Sequence, residues 1–176
     1  MRQKEREIIL ITGGCRSGKS RFGQRWAEER ASKRLFLATA RASDDEMVER
    51  IRRHQAARGE GWVTIEEPQT VNRVVREHGS TVEVILLDCV TIWVSNLLMK
   101  GLSDEEILDQ VKGLKETLSQ VPCSVAMVTN EVGWGIVPDH PLGRRFRDLA
   151  GSVNQLLAQS ADRVLLMVAG IPMVVK

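Results

Sequence analysis

Residues 8–20 read IILITGGCRSGKS, and this stretch decides the fold. Four residues separate Gly13 from Gly18, and Lys19 and Ser20 follow at once, which completes the phosphate-binding loop pattern G-x-x-x-x-G-K-S/T. An apolar, β-branched run leads into the loop and a helix-like segment leads out of it, which is the context that this pattern needs. The sequence therefore predicts a strand, a loop and a helix that bind a nucleoside triphosphate.

The residue types in the loop suit the chemistry of phosphate binding. Glycines allow consecutive backbone N–H groups to turn inward around a polyphosphate, at the positive end of the following helix. We expect Lys19 to reach the β- and γ-phosphates as a catalytic cation, and the Ser20 hydroxyl to ligate Mg²⁺. A glycine-rich turn that matches by chance is the alternative. The nucleotide-binding candidates of the loop are Gly13, Gly14, Cys15, Arg16, Ser17, Gly18, Lys19 and Ser20.

Length and composition indicate one globular domain over residues 1–176. Hydrophobic residues make up 43% of the chain and charged residues 27%, which is ordinary for a packed domain. No apolar run approaches the roughly 20 residues of a membrane-spanning helix, and the charged start of the chain does not resemble a secretory signal. The three cysteines show no metal-ligand spacing, so we expect reduced thiols and a cytoplasmic protein without a membrane span.

Charge is distributed unevenly along the chain. Residues 1–58 hold 15 Lys and Arg against 8 Asp and Glu, whereas the remainder holds 10 against 15. The basic excess surrounds the predicted phosphate site, so an anionic nucleotide accounts for it. Aromatic residues are few, at 4%, and there is no nucleic-acid-binding motif, so we expect small-molecule substrates and no nucleic acid.

Apolar strands alternate with amphipathic helices along the chain. We predict strands at 34–39, 62–66, 83–88, 124–129, 162–168 and 173–175, and helices at 70–78, 93–99, 104–120 and 142–160. Ser43 and Glu46 form a predicted capping box for a further helix. This order predicts an α/β fold with a mainly parallel sheet covered by helices on both faces. Ligands bind at the carboxyl ends of such strands, where Thr12, Thr39, Asp88 and residues 129–131 fall.

Asp88 ends a strongly apolar strand, as the second acidic element of a phosphate-loop protein does. There it would hold Mg²⁺ through water or contact the nucleotide. The alternative is that Asp88 caps the helix that follows, since Asp favours such positions.

His54 is the candidate nucleophile. A single histidine on a helix is usually structural, but this one follows the second strand and lies among Arg50, Arg53 and Arg58. A neutral imidazole in such a cationic setting can attack phosphorus and carry the transferred group covalently. His78 and His140 have no comparable neighbours, and we interpret them as surface residues.

Three arginines, Arg144, Arg145 and Arg147, open the last helix and either neutralise charge at the site or form a solvated basic face.

Several segments together resemble one known family. They are the loop at 13–20, the segment 44–54 that ends at His54, the strand 62–66, the string TNEVGWGIVP at 129–138, and residues 146–155. Their order and spacing resemble those of the bifunctional adenosylcobinamide kinase/adenosylcobinamide-phosphate guanylyltransferases of cobalamin biosynthesis. The resemblance extends from Ile8 to Lys176, and the string after residue 129 is much more specific than the phosphate loop.

The resemblance implies a RecA-like nucleotide-binding fold, two reactions and a homotrimer. The first reaction phosphorylates adenosylcobinamide with ATP or GTP. The second moves GMP from GTP onto that phosphate through a guanylylated histidine, which falls on His54, and gives adenosylcobinamide-GDP. Beyond the loop, the implied nucleotide contacts are Ala38, Thr39, Ala40, Gln55, Arg58, Glu66 and Asp88, and the implied metal ligands are Ser20 and Asp88.

Two positions depart from the family pattern that we expect. Cys15 stands where alanine or glycine is usual, in a position that contributes mainly backbone, and Asp88 stands where some members have glutamate.

Two other functions remain open at this point: a phosphate-loop kinase for a small molecule in which His54 is structural, and a nucleotide-hydrolysing switch. The sequence lacks the Asn-Lys-x-Asp string with which GTPase switches read guanine.

Overall fold

The computed structural model describes residues 5–40 and 59–176. Its described part contains seven strands and five helices. The strands are β1 (Ile8–Gly13), β2 (Arg34–Ala38), β3 (Trp62–Glu66), β4 (Val84–Asp88), β5 (Ser124–Val128), β6 (Arg163–Val168) and β7 (Ile171–Val174). The helices are α1 (Lys19–Glu28), α2 (Val71–His78), α3 (Val90–Met99), α4 (Asp104–Gln120) and α5 (Pro141–Ser160), with a short 3₁₀ turn at Val132–Trp134. The predicted capping box at 43–46 and the helix of His54 lie outside these ranges.

The strands form one sheet in the order β3-β2-β4-β5-β1-β6-β7. Every pairing is parallel except that between β6 and β7, which form an antiparallel hairpin at one edge. This confirms the predicted α/β architecture. Strand β1 lies between β5 and β6, so the phosphate loop that follows it emerges near the middle of the carboxyl edge of the sheet.

Alternating side chains of the strands serve two separate cores. Leu10, Leu37 and Leu87 point to the face covered by α2, α3, α4 and α5, and the opposite set, such as Ile11 and Leu86, packs under α1. Successive side chains of a strand point to opposite faces of the sheet, and here they are apolar on both faces. A sheet covered by helices on both faces requires this. Because both faces are buried, the strands hold rigid positions at the edge where a ligand binds.

The carboxyl ends of the strands are level with one another. Ala38 pairs with Glu66 on one side and with Asp88 on the other, and Asp88 in turn pairs with Val128. The register therefore brings the ends of four strands to one line beside the phosphate loop, as predicted for the polar residues there.

The loop after β3 is fastened to the end of β2. The backbone N–H of Glu67 donates to the Ala38 carbonyl at 2.8 Å, and the Asn96 side chain donates to the carbonyls of Thr39 at 2.8 Å and Pro68 at 3.0 Å. The Glu67 carboxylate accepts the N–H groups of Gln69 and Thr70, each at 2.9 Å. Burial alone would raise the pKa of Glu67, but these hydrogen bonds, with that from Arg73, outweigh it and lower the pKa to about 2.

Replacing Glu67 with Gln should cost stability in a pH-dependent way. Because the folded-state pKa is about 2 and the ordinary value is 4.5, the carboxylate stabilises the fold above about pH 4.5 and loses this contribution as the pH falls toward 2. Urea unfolding of both proteins across this range should show the advantage of the natural residue shrinking with acid. A difference that stays constant from neutral pH to pH 2 would contradict the assignment.

Among the described residues, no helix is long and apolar enough to cross a membrane.

Candidate functional site

The phosphate loop has a backbone that glycine makes possible at two points. Gly13 and Gly18 have φ values of 139° and 94°, a region that other residues rarely adopt. A Cβ atom on Gly13 would lie 2.5 Å from the Met167 carbonyl oxygen of β6, so there is also no room for one. Gly18 provides the N-cap of α1, and among the described residues no side chain caps this helix. The first N–H groups of α1 therefore face the loop, where they can bind an anion.

Lys19 lies inside the loop. Its side chain is 6% exposed, and its ammonium group donates to the carbonyls of Gly13 at 3.0 Å and Gly14 at 2.6 Å. A longer contact of 3.4 Å reaches the Ser17 hydroxyl. The positive charge is thus held at the centre of the concave loop, where the sequence predicts the phosphates. Cys15 and Arg16 lie on the exposed outer side of the turn.

Asp88 is half-buried at the end of β4, two strands from the loop. The alternative that Asp88 caps the next helix is wrong: the N-cap of α3 is Cys89, whose sulfur accepts the Ile92 N–H at 3.5 Å. Burial, followed by the negative charge of Asp88, raises the pKa of the Cys89 thiol to about 12. The Cys89 thiol is therefore buried, un-ionised and structural. The carboxylate of Asp88 does not cap the helix.

Thr39 joins the end of β2 to the end of β4. Its buried hydroxyl donates to the Cys89 carbonyl at 2.7 Å and accepts the Cys89 N–H at 2.8 Å. Ala38 is buried as well, whereas Ala40 is half-buried and Glu66 is exposed. The side chain of Thr39 therefore holds the scaffold, so a nucleotide contact at 38–40 would use the backbone of this segment.

A polar network fastens the loop after β5 to the phosphate loop. The Glu131 carboxylate accepts the Thr12 hydroxyl and, at 3.4 Å, the Asn154 amide of α5, and the Glu131 N–H donates to the Gly13 carbonyl at 3.2 Å. The hydroxyl of Thr129 donates to the other end of the Asn154 amide at 2.7 Å. A carboxylate is thus held beside Gly13, at the carboxyl edge of the sheet where residues 129–131 and Thr12 were predicted to lie.

We expect Glu131→Ala to lower the free energy of unfolding by roughly 1–3 kcal/mol, because it leaves the mostly buried Thr12 hydroxyl without its acceptor. Glu131→Gln retains a side-chain carbonyl oxygen for Thr12 and should recover much of this loss. Chemical denaturation measures both, with Glu116→Ala on the exposed surface of α4 as the matched control. Equal stability of Glu131→Ala and the natural protein would contradict the network.

Other predicted residues fall into two groups. His54, Gln55 and Arg58 lie outside the described residues, so their roles stay predictions. The arginines of the last helix have structural contacts: Arg144 donates to the Asp139 carbonyl at 2.6 Å, and Arg145 pairs with Asp104 at 2.7 Å.

Of the two remaining histidines, His140 is exposed and caps α5 through Nδ1, which accepts the Leu142 N–H at 3.2 Å. His78 is half-buried at the end of α2. The prediction that both are surface residues is confirmed for His140, whereas His78 is only partly exposed.

A solved structure of a KaiC-like protein from Pyrococcus horikoshii shares the fold. It superimposes with a TM-score of 0.53 at 15% sequence identity, over 91% of this chain and 70% of that one. This likeness supports the predicted fold, while the low identity carries no information on ligands or substrates.

Comparisons of sequence identify closer relatives. The bifunctional adenosylcobalamin biosynthesis protein CobU of Escherichia coli is 40% identical over 96% of this chain and 99% of its own length. The corresponding protein CobP of Pseudomonas aeruginosa is 41% identical over 95% of this chain and 96% of its own. Residues 9–175 match the family described as cobinamide kinase / cobinamide phosphate guanyltransferase. With a complete phosphate loop and relatives aligned over nearly their whole length, the chain belongs to this family of bifunctional enzymes.

Proposed function

We propose that this chain phosphorylates adenosylcobinamide with ATP or GTP and then transfers GMP from GTP to the resulting phosphate, giving adenosylcobinamide-GDP. The observation that carries the proposal is the family match over residues 9–175, in a chain whose Lys19 ammonium lies inside an intact phosphate loop. The three free cysteines, two of them buried, fit an enzyme of the reducing cytoplasm.

The kinase step needs mainly positioning and charge stabilisation. The acceptor hydroxyl attacks the γ-phosphorus, the bond from the γ-phosphorus to the β–γ bridging oxygen breaks, and the nucleoside diphosphate leaves. Lys19 and the N–H groups at the start of α1 would stabilise the charge that develops on the phosphate oxygens. When a nucleotide binds, the Lys19 ammonium would exchange its bonds to the Gly13 and Gly14 carbonyls for bonds to phosphate.

Ser20 and Asp88 fit Mg²⁺ by the nature of their donor atoms. A hydroxyl and a carboxylate are hard oxygen ligands, and Mg²⁺ in nucleotide sites usually takes one or two such ligands, with phosphate oxygens and water completing its shell. The described residues contain no cluster of three or more His, Cys, Asp or Glu that would bind a metal by itself. A bound Mg²⁺ would neutralise charge on the β- and γ-phosphates.

The guanylyl step needs a nucleophile that can also leave. We propose that a ring nitrogen of His54 attacks the α-phosphorus of GTP, with release of pyrophosphate and formation of a phosphorus–nitrogen bond. A phosphate oxygen of adenosylcobinamide phosphate then attacks the same phosphorus, and the imidazole leaves. Gln55, Arg58, Glu66 and the backbone at 38–40 are the proposed contacts of this nucleotide, and Asp88 is a proposed contact of its base or its metal.

The test is product analysis with the purified chain, adenosylcobinamide, ATP, Mg²⁺ and GTP labelled at the α-phosphorus. The proposal predicts labelled adenosylcobinamide-GDP, and phosphorylated adenosylcobinamide when GTP is replaced by ATP alone. Phosphorylation without labelled product even when GTP is present would favour a small-molecule kinase. Hydrolysis of the nucleotide without either corrinoid product would favour a nucleotide-hydrolysing switch.

We also propose a homotrimer. Strand β7 forms an edge of the sheet, and its Ile171, Met173 and Val174 are 66%, 54% and 66% exposed. An exposed apolar edge strand is a surface that pairs with another chain, which supports association, while the number of subunits is implied by the family resemblance. Sedimentation equilibrium at micromolar concentration should give three times the chain mass of 19.7 kDa. A monomer under these conditions would contradict the proposal.

A further inference from the structure

We propose that the cleft between α1 and the β6–β7 turn binds the base and ribose of the nucleotide used in the kinase step, and that GTP in the guanylyl step does not use it. The inference rests on the proposed pair of reactions and adds to it a site for the nucleoside. The cleft has a volume of ≈ 290 Å³ and is lined by Gly18, Arg21, Arg25, Ala169 and Gly170.

The cleft opens directly from the phosphate loop. Gly18 belongs to both, and Arg21 follows Ser20 on the first turn of α1. At ≈ 290 Å³ the space is just below the range of about 300–1,000 Å³ typical of ligand pockets, so it suits a nucleoside whose phosphates lie outside it, in the loop. A nucleotide held by its phosphates at Lys19 can therefore continue into the cleft without a gap.

The far wall of the cleft is fixed relative to the phosphate loop. The backbone N–H of Gly170 donates to the Ser17 carbonyl at 3.0 Å, which ties the β6–β7 turn to the phosphate loop. A Cβ atom on Gly18 would lie 3.2 Å from the Gly170 Cα, so the two segments approach more closely than a larger residue would allow. The width of the cleft is thus set by backbone that is already in place.

The residues that line the cleft can stack on the face of a purine base, but they offer few groups that would distinguish the hydrogen-bonding edges of adenine and guanine. Arg21 and Arg25 are one helical turn apart on α1, both are exposed, and a planar guanidinium stacks on an aromatic ring. The opposite wall is backbone with only one methyl group, which admits a flat ring. None of the described residues that line the cleft has a carboxylate or amide side chain, so adenine and guanine should bind there with similar affinity. Such a cleft suits a kinase step that accepts ATP or GTP.

The direction of the nucleotide follows from where the two reactions take place. In the sheet, β6 and β7 lie on one side of β1, and β5, β4 and β2 lie on the other. The carboxylate of Asp88, a proposed ligand of Mg²⁺, lies at the end of β4. A γ-phosphate that shares this metal therefore points to that side. The nucleoside end then points toward β6 and β7, where the cleft lies.

The guanylyl step requires the opposite arrangement. In the proposed guanylyl step the α-phosphorus, and not the γ-phosphorus, must meet its attacking group, and the described chain leaves the sheet at the carboxyl end of β2, before residue 41. If the α-phosphate is attacked on the β2 side, its nucleoside lies on that side as well, away from β6 and β7. The phosphate loop would therefore hold the triphosphate in two opposite orientations, one for each reaction. Only in the orientation used for the kinase step does the nucleoside occupy the cleft.

The test compares the two reactions in the double variant Arg21→Ala/Arg25→Ala. We expect the KM for ATP in adenosylcobinamide phosphorylation to rise about tenfold or more, as loss of stacking on a base does, with kcat changed far less. The GTP concentration that gives the half-maximal rate of protein labelling by α-³²P-GTP should rise by a much smaller factor. Arg21→Lys/Arg25→Lys keeps the charges without the planar groups and should remain defective toward ATP. Arg76→Ala on α2 is the matched control.

An unchanged KM for ATP, or equal rises in both reactions, would overturn the inference. Photo-crosslinking of the natural protein with 8-azido-ATP gives an independent reading: the label should fall on peptides that contain residues 18–25 or 169–170. Labelling confined to the ends of β2, β3 and β4 would contradict the assignment. If the natural protein fails to phosphorylate adenosylcobinamide at all, the proposed function fails, a result distinct from these.

Discussion

Replacing Lys19 with Ala is expected to reduce both reactions by roughly three orders of magnitude, the scale on which single charge-stabilising groups act in phosphoryl transfer. The Lys19 ammonium is buried in the loop, within 3.0 Å of two loop carbonyls, so the substitution removes the positive charge at the centre of the loop. The kinase rate and the rate of self-labelling by α-³²P-GTP measure the two effects separately.

The matched control is Lys100→Ala, which removes an exposed lysine just after α3 and should leave both rates near their natural values. Thermal unfolding of both variants separates a catalytic loss from a folding defect. Near-normal rates of both reactions in Lys19→Ala would show that the loop is not the active nucleotide site, whatever the family match.

His54→Asn should separate the two reactions. Without the imidazole there is no group to carry GMP, so labelling of the protein by α-³²P-GTP and formation of adenosylcobinamide-GDP should both disappear. The kinase step uses the phosphate loop and an aligned acceptor hydroxyl, so much of the phosphorylation of adenosylcobinamide should survive. The two products, separated by chromatography, report both outcomes from one reaction mixture.

His78→Asn makes the same chemical change on the end of α2, away from the phosphate loop, and should leave both products unaffected. Two in-line displacements invert the α-phosphorus twice, so a covalent route also predicts net retention of configuration there. Unimpaired GMP transfer in His54→Asn, or inversion in the natural enzyme, would support direct attack of the corrinoid phosphate on GTP.

The sheet was predictable because it is buried on both faces. The predicted strands 83–88 and 124–129 each contain four consecutive apolar residues, and the observed strands β4 and β5 differ from them by one residue at one end. The tail was harder to place: the predicted strand 173–175 is observed at Ile171–Val174, because the turn at Ala169 and Gly170 reverses the chain immediately after β6. The sequence marks this turn only weakly. Both of its central residues have positive φ, a conformation usually taken by Gly, Asn or Asp, but the first of them is Ala169.

The site was predictable only where a local pattern marks it. The phosphate loop is defined by contiguous residues, and the structure places Lys19 at its centre. The partners of Glu131 are distant in sequence, since its bond to Thr12 spans 119 residues and that to Asn154 spans 23. The alternative for Asp88 was wrong for a similar reason: the propensity of Asp for N-caps is general, whereas the residue that caps α3 is set by where the helix begins, at Cys89.

The most direct test of two reactions on one phosphate loop is to locate the GMP carried by the protein. The chain is incubated with GTP and Mg²⁺ without adenosylcobinamide, digested under mildly alkaline conditions that preserve a phosphoramidate, and its peptides are analysed by mass spectrometry. We expect one GMP on the peptide that contains His54, and we expect it to be lost on addition of adenosylcobinamide phosphate, with formation of adenosylcobinamide-GDP. GMP on a different residue, or turnover to adenosylcobinamide-GDP with no modified peptide at any time, would contradict it.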